Sequence, residues 1–178
     1  LVNECELKEG DNRISLIIKS PLTNITEMFA RCNSLKDISD ILYLDVSKVK
    51  YFDLAFAYNE TLSDISPLKN WDVSNGETFT SMFEGCSSLT NIKVLKRWNV
   101  SKGVDFEGMF RGCSKLIEIK ALYKWNVSRG ENFACMFYNC PILLDLTPLM
   151  NWNVSNGVNF QYMFGSCKLL SDIAPLLN

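Results

Sequence analysis

The sequence predicts an α/β solenoid, a stack of about six 27-residue units, each a short parallel strand plus a short helix. Three observations carry that reading. Phe29, Phe56, Phe83, Phe110, Phe137 and Phe164 stand 27 residues apart without a slip. Leu35, Leu62, Leu89, Leu116, Leu143 and Leu170 run in the same phase. Trp71, Trp98, Trp125 and Trp152 recur with them in the later repeats. A fixed period of about 20 to 50 residues marks units that cannot bury an apolar face alone and must stack to do so.

Aligned on the phenylalanines, one unit reads W-(N/D)-V-S-x-G-x-x-F-x-x-M-F-x-x-C-x-x-L-x-x-I-x-x-L-x-x. Residues 1–16 fall outside the period, alternate charged with apolar side chains, and read as a strand-containing N-terminal cap. Residues 17–178 are the repeat solenoid, with two degenerate copies first: Ile17 and Lys19 replace Trp and Val in one, and Leu44, Val49 and Ala55 depart in the next. Terminal repeats of a stack are commonly atypical. In the full copies Phe79, Met82, Phe83 and Cys86 follow the i, i+3, i+4, i+7 stripe of a short buried helix. Leu89-Thr90-Asn91-Ile92, apolar at both ends, is the expected parallel strand, stacking at about 4.8 Å per rung. Ser74 is the expected N-cap, with Glu77 and Glu131 completing capping boxes in two copies. Gly76, Gly103, Gly130 and Gly157 mark a sharp corner or close backbone approach. The chain stops at Asn178, one residue short of the next Trp, so the solenoid reads as cut there or as pairing through an open edge.

The bulk composition bounds the function. A hydrophobic fraction of 47% and a charged fraction of 21% are globular values. The net charge of −2 gives no overall pull toward nucleic acid or an anionic membrane. No run approaches the roughly 18 apolar residues that span a bilayer. Charge is unevenly placed, however: residues 91–130 carry nine bases and three acids, a band of +6 between acidic ends. It reads either as a solvated face or as a docking patch for an anionic partner.

The string M-F-x-x-C-x-x-L-x-x-I resembles the BspA-like surface-protein repeats. It is carried by Met82, Phe83, Cys86, Leu89 and Ile92, and by Met109, Phe110, Cys113, Leu116 and Ile119 after Trp98-Asn99-Val100-Ser101. The resemblance covers roughly residues 17–178. It implies a leucine-rich-repeat-like stack and a cell-surface or secreted adhesion or interaction protein. One departure is the Gly with a Phe three residues later, where the family commonly has Val; it points to a divergent subfamily with a tighter corner.

Several columns could carry chemistry. Cys32, Cys86, Cys113, Cys140 and Cys167 share one, with Asn59 filling its gap, while Cys5 and Cys135 read as lying off it. Buried free thiols are the favoured reading, as in leucine-rich repeats, against disulfides between rungs or a metal site. Asp37, Asp64, Asn91, Glu118, Asp145 and Asp172 form a second column. It is read either as turn-closing acceptors or as a line of carboxylates holding cations, with Asp37, Asp64, Glu118, Asp145 and Asp172 as the ligands. The Trp column is read as corner packing, or alternatively as an exposed aromatic stripe. Asn99, Asn126 and Asn153, each before Val-Ser, and Asn24 and Asn59 begin N-x-S/T triplets, taken as structural before glycosylation.

Catalysis has little support: the chain has no His, no phosphate-cradling glycine loop and no nucleophile elbow. No cofactor or metal is expected. The expected function is a non-catalytic protein-protein interaction or adhesion module presenting a variable strand face. Lys36, Ser63, Thr90 and Ile117 represent one variable column of that face, and Lys93 and Lys120 another. The expected partner is a protein or a host or extracellular ligand, neither nucleic acid nor a membrane span. The rival reading is a structural spacer or an array assembled end to end.

Overall fold

The computed structural model describes residues 18–176, and the cap expected over residues 1–16 lies outside them. The described chain winds into stacked 27-residue coils, and backbone bonds join each to the next. The N–H groups of Ile25, Glu27, Phe29 and Arg31 donate to the carbonyls of Tyr51, Asp53, Ala55 and Ala57 at 2.8–3.1 Å. Two coils later Phe79, Ser81, Phe83 and Gly85 donate in the same way to Asp105, Glu107, Met109 and Arg111.

The α/β architecture is nevertheless wrong, and the leucine-rich-repeat likeness of the fold falls with it. Among the described residues there is no α-helix and no extended strand. Pairing is reduced to single parallel bridges linking Asn24, Tyr51, Thr78, Asp105, Asn132 and Asn159 in turn. Helical structure is confined to short 3-10 segments at Ser39–Tyr43, Ser66–Asn70, Lys93–Arg97, Lys120–Lys124, Thr147–Leu149 and Ala174–Leu176.

The stretch expected to be a helix fails for a stereochemical reason. Ser81 (φ 52°) and Gly85 (φ 71°) are left-handed, and so are Leu54 and Tyr58, Gly108 and Gly112, Cys135 and Asn139, and Tyr162 and Ser166. A right-handed helix cannot pass through such residues. The chain instead makes two tight turns in succession: Met82 N–H bonds the Phe79 carbonyl, and Cys86 N–H that of Phe83. The alternate N–H groups point out of the coil and feed the ladder. Turns recurring every four residues bury Phe79, Met82, Phe83 and Cys86 as completely as a helix would. Leu89–Ile92, the expected strand, pairs with nothing and leads into the 3-10 segment Lys93–Arg97.

Asp and Asn close the coil at three places. The Asp64 carboxylate accepts the Ser66 N–H at 2.8 Å, and Asn91 that of Lys93 at 2.7 Å. Asp72 accepts from Ser74 at 3.0 Å and Asn99 from Ser101 at 3.1 Å. Asp105 accepts from Glu107 at 2.8 Å and Asn132 from Ala134 at 3.1 Å. These are Asx turns, in which the side chain imitates a backbone acceptor. Ser74 therefore caps no helix, and Glu77 pairs with Lys50 of the preceding rung at 2.8 Å.

Aromatic columns fill the core. The phenylalanine comb and a second set, Phe52, Phe79, Phe106, Phe133 and Phe160, stack ring on ring at 5.2–5.9 Å, within the favoured offset range. Trp71 and Trp98 tilt against both sets, and Trp125 and Trp152 against the second. Their Nε1 groups donate to the carbonyls of Ile41, Leu68, Leu95 and Leu122 at 2.9–3.4 Å. Trp71, Trp98 and Trp125 are buried and Trp152 half-buried, so the exposed-stripe reading is set aside. The Gly and Phe that depart from the resembled family are one device. The Phe79 ring lies over Gly76 so closely that a Cβ there would run into Cζ; Gly103 and Phe106 repeat the contact.

The cysteine column is a hydrogen-bond ladder of free thiols. Sγ of Cys86, Cys113, Cys140 and Cys167 each lies 3.2 Å from the carbonyl of Phe56, Phe83, Phe110 and Phe137, one rung back. Burial pushes the Cys86 and Cys140 thiols up to about 12 and raises Cys113 and Cys167 as well. Cys32 is exposed and Cys135 half-buried. Cys5, placed off the column above, stands 27 residues before Cys32 and is in phase with it, although it lies outside the described residues. Asn59 takes the missing place: its Nδ2 bonds the carbonyls of Phe29 at 2.7 Å and Phe56 at 3.0 Å, leaving a buried Oδ1 with no partner.

Three outcomes are expected. Iodoacetamide with peptide mapping labels Cys32 and Cys135 in the native protein and reaches Cys86, Cys113 and Cys140 only after denaturation; early labelling of those three contradicts the ladder. Asn59→Ala, which orphans the carbonyl of Phe29 while that of Phe56 keeps the Cys86 thiol, lowers stability by about 1–3 kcal/mol in urea melts, and Asn59→Cys recovers most of the loss. The third concerns acid. The Ser47 backbone N–H holds the Asp45 carboxyl below its ordinary 3.8, and Ser74, through hydroxyl and N–H, does the same for Asp72. That contribution is complete above the ordinary value and lost as pH falls through the lowered native one. Replacing both by Asn, which rungs at Asn99, Asn126 and Asn153 already use, flattens the fall of Tm below about pH 4.

Candidate interaction face

The ladder and the Asx turns fix which columns reach the surface. Lys36, Ser63, Thr90 and Ile117 are all exposed, each one residue before the Asx position. Lys93 and Lys120 are exposed too, but they open 3-10 segments rather than lying on a strand face. The variable positions expected to flank a strand thus belong to a face built from the 3-10 segments and the turns leading into them.

The acidic column lies beside this face and is used locally. Asp37, Asp64, Asp145 and Asp172 each turn Oδ1 onto the N–H two residues on, at 2.8 Å. Glu118, one methylene longer, reaches Lys120 Nζ at 3.1 Å instead. Among the described residues no three His, Cys, Asp or Glu side chains gather in a group that could hold a metal ion. The turn-closing role is therefore the one the geometry displays.

The faces differ in how their charges are spent. Beside the left-handed residues, Arg31 lies over the Tyr58 ring at 4.7 Å and Arg111 over Tyr138 at 5.4 Å, with Glu84 3.6 Å from Arg111. Near the Trp corner Lys50 meets Glu77 and Lys102 meets Asn75 at 2.6 Å. These cations are engaged within the surface. On the 3-10 face Lys93, Lys96, Arg97 and Lys124 form no ion pair among the described residues.

A groove of about 570 Å³ runs across the segments Lys93–Arg97, Lys120–Lys124 and Thr147–Leu149. Ala121 and Pro148 lie on its floor; Tyr123, 50% exposed, and Met150, 46% exposed, stand in its walls. Lys93, Lys96, Lys120 and Lys124 rim it, and Glu118 is the one acid lining it. The lysines were visible in the sequence as part of the basic band. Tyr123 and Met150 were missed, because positions 123 and 150 share a column whose other members, Leu42, Lys69, Lys96 and Leu177, have no common chemistry.

No helix among the described residues is long and apolar enough to cross a membrane. No curated protein matches the chain. Two overlapping matches, over residues 5–118 and 67–174, join it to a family described as "Mycoplasma protein of unknown function, DUF285". Together they span residues 5–174, nearly the whole sequence, and the chain belongs to that family.

Proposed function

We propose that the protein is a non-catalytic protein-interaction or adhesion module, acting at the cell surface or after secretion, whose stacked core holds up a face that changes from rung to rung. The observation that carries this reading is the 3-10 face. Its first column runs Ser39, Ser66, Lys93, Lys120, Thr147, Ala174, while the phenylalanines and leucines beneath stay constant. A constant scaffold with changing exposed positions is how a stack selects a ligand along its length. The resemblance to BspA-like surface proteins supports the setting. The cations left unpaired on this face supply an attraction for an anionic partner.

Two measurements test the division of labour. Light scattering over a concentration series is expected to show a stable monomer; steady growth with concentration would favour the rival reading of an end-to-end array. On the face, Lys36→Ser and Ile117→Ser change stability by less than about 0.5 kcal/mol. In the core beside them Leu116→Ala costs about 2–5 kcal/mol. A large loss from the face substitutions would make those residues scaffold and overturn the reading.

A further inference from the structure

The geometry points to the groove between the segments Lys93–Arg97 and Thr147–Leu149 as the docking site for an acidic, partly apolar extended peptide segment of a partner protein. This deepens the interaction reading and rests on it. Two features select the occupant. The rim carries four lysines against one carboxylate, and Glu118 is already turned to Lys120 at 3.1 Å, so the remaining positive charge faces solvent without a partner among the described residues. Such a rim attracts an anion and speeds its arrival.

The floor and walls decide what kind of anion. Ala121, Pro148, Tyr123 and Met150 offer a continuous apolar lining, and side chains of about this size are stabilised by burial in proportion to area. A polyphosphate strand has no apolar side chain to place there, and one tyrosine is a single stacking platform where single-stranded nucleic acids use successive ones. A bilayer surface would need a broad apolar stripe, whereas here the apolar lining is confined to one groove between lysines. An extended peptide meets both requirements. Its alternate side chains point to opposite sides, so acidic residues reach the rim while apolar ones enter the groove. Rungs spaced at about 4.8 Å put Lys93 and Lys120 within reach of acidic positions on one such segment.

The test uses fluorescence anisotropy with the full chain and a labelled peptide of mixed Glu and Leu. Companion probes are poly-Glu of equal charge, a single-stranded oligonucleotide and phosphatidylserine vesicles. The Glu/Leu peptide is expected to bind, and to weaken steeply between about 50 and 300 mM salt. Lys96→Glu with Lys124→Glu should weaken it at least about tenfold. Tyr123→Ser with Met150→Ser should weaken the Glu/Leu peptide but leave poly-Glu unchanged. An unaltered melting curve for each variant excludes misfolding as the cause.

Equal binding of poly-Glu and the Glu/Leu peptide would overturn the apolar half of the inference. Tighter binding of the oligonucleotide or the vesicles would replace the peptide with that ligand. No binding, or binding indifferent to both double variants, would remove the groove as a site. In each case a monomer by light scattering leaves the broader interaction reading standing, whereas concentration-dependent growth counts against that reading itself.

Discussion

A 27-residue coil made mostly of turns cannot satisfy its own backbone, and the rest of this structure follows from that shortfall. In each rung four alternate N–H groups of the double turn leave the coil and find acceptors only in the next one. Buried backbone groups left unpaired are costly, so the rungs are bound to stack. Side chains repeat the logic: the thiol column and the tryptophan Nε1 groups both donate one rung back, to carbonyls 30 positions earlier. The aromatic columns then fill the space that this spacing creates. Stability here is a property of neighbours.

This explains which parts of the fold were legible in the sequence. The period, the buried columns and the free thiols could be read because a 27-residue recurrence places like side chains over one another whatever the backbone does between them. The backbone itself could not. Phe79, Met82, Phe83 and Cys86 bear a helical signature, yet two turns with left-handed residues at Ser81 and Gly85 bury the same positions. Nothing in the composition of the left-handed columns announces them: Leu54, Tyr58, Cys135 and Tyr162 take positive φ beside the glycines. The pairing across rungs imposes that conformation, and local propensity alone would argue against it.

The same distinction governs the candidate site. The basic band was visible as charge, and Asp64 or Asn91 as turn acceptors, because their chemistry is local. Whether the lysines were paired depended on which columns lie side by side, and that follows from the coil's cross-section. Glu118 illustrates the point. In sequence it belongs with the aspartates, but one added methylene carries its carboxylate past the backbone N–H and onto Lys120. The apolar lining was less visible still, since Tyr123 and Met150 come together only when the 3-10 segments are laid edge to edge.

The ladder also has a direction, and this bears on how such a stack meets other molecules. Within the double turns every bond between rungs runs from an N–H on the N-terminal side to a carbonyl on the C-terminal side. At the sixth rung the N–H groups of Phe160, Tyr162, Phe164 and Ser166 therefore have no acceptor among the described residues. An ordinary sheet edge offers alternating donors and acceptors and can pair with its own copy. Two edges of this kind brought face to face would set donors against donors. A row of donors can be completed only by a row of carbonyls, which is what a further coil of the same type, or an extended segment offering that spacing, would bring.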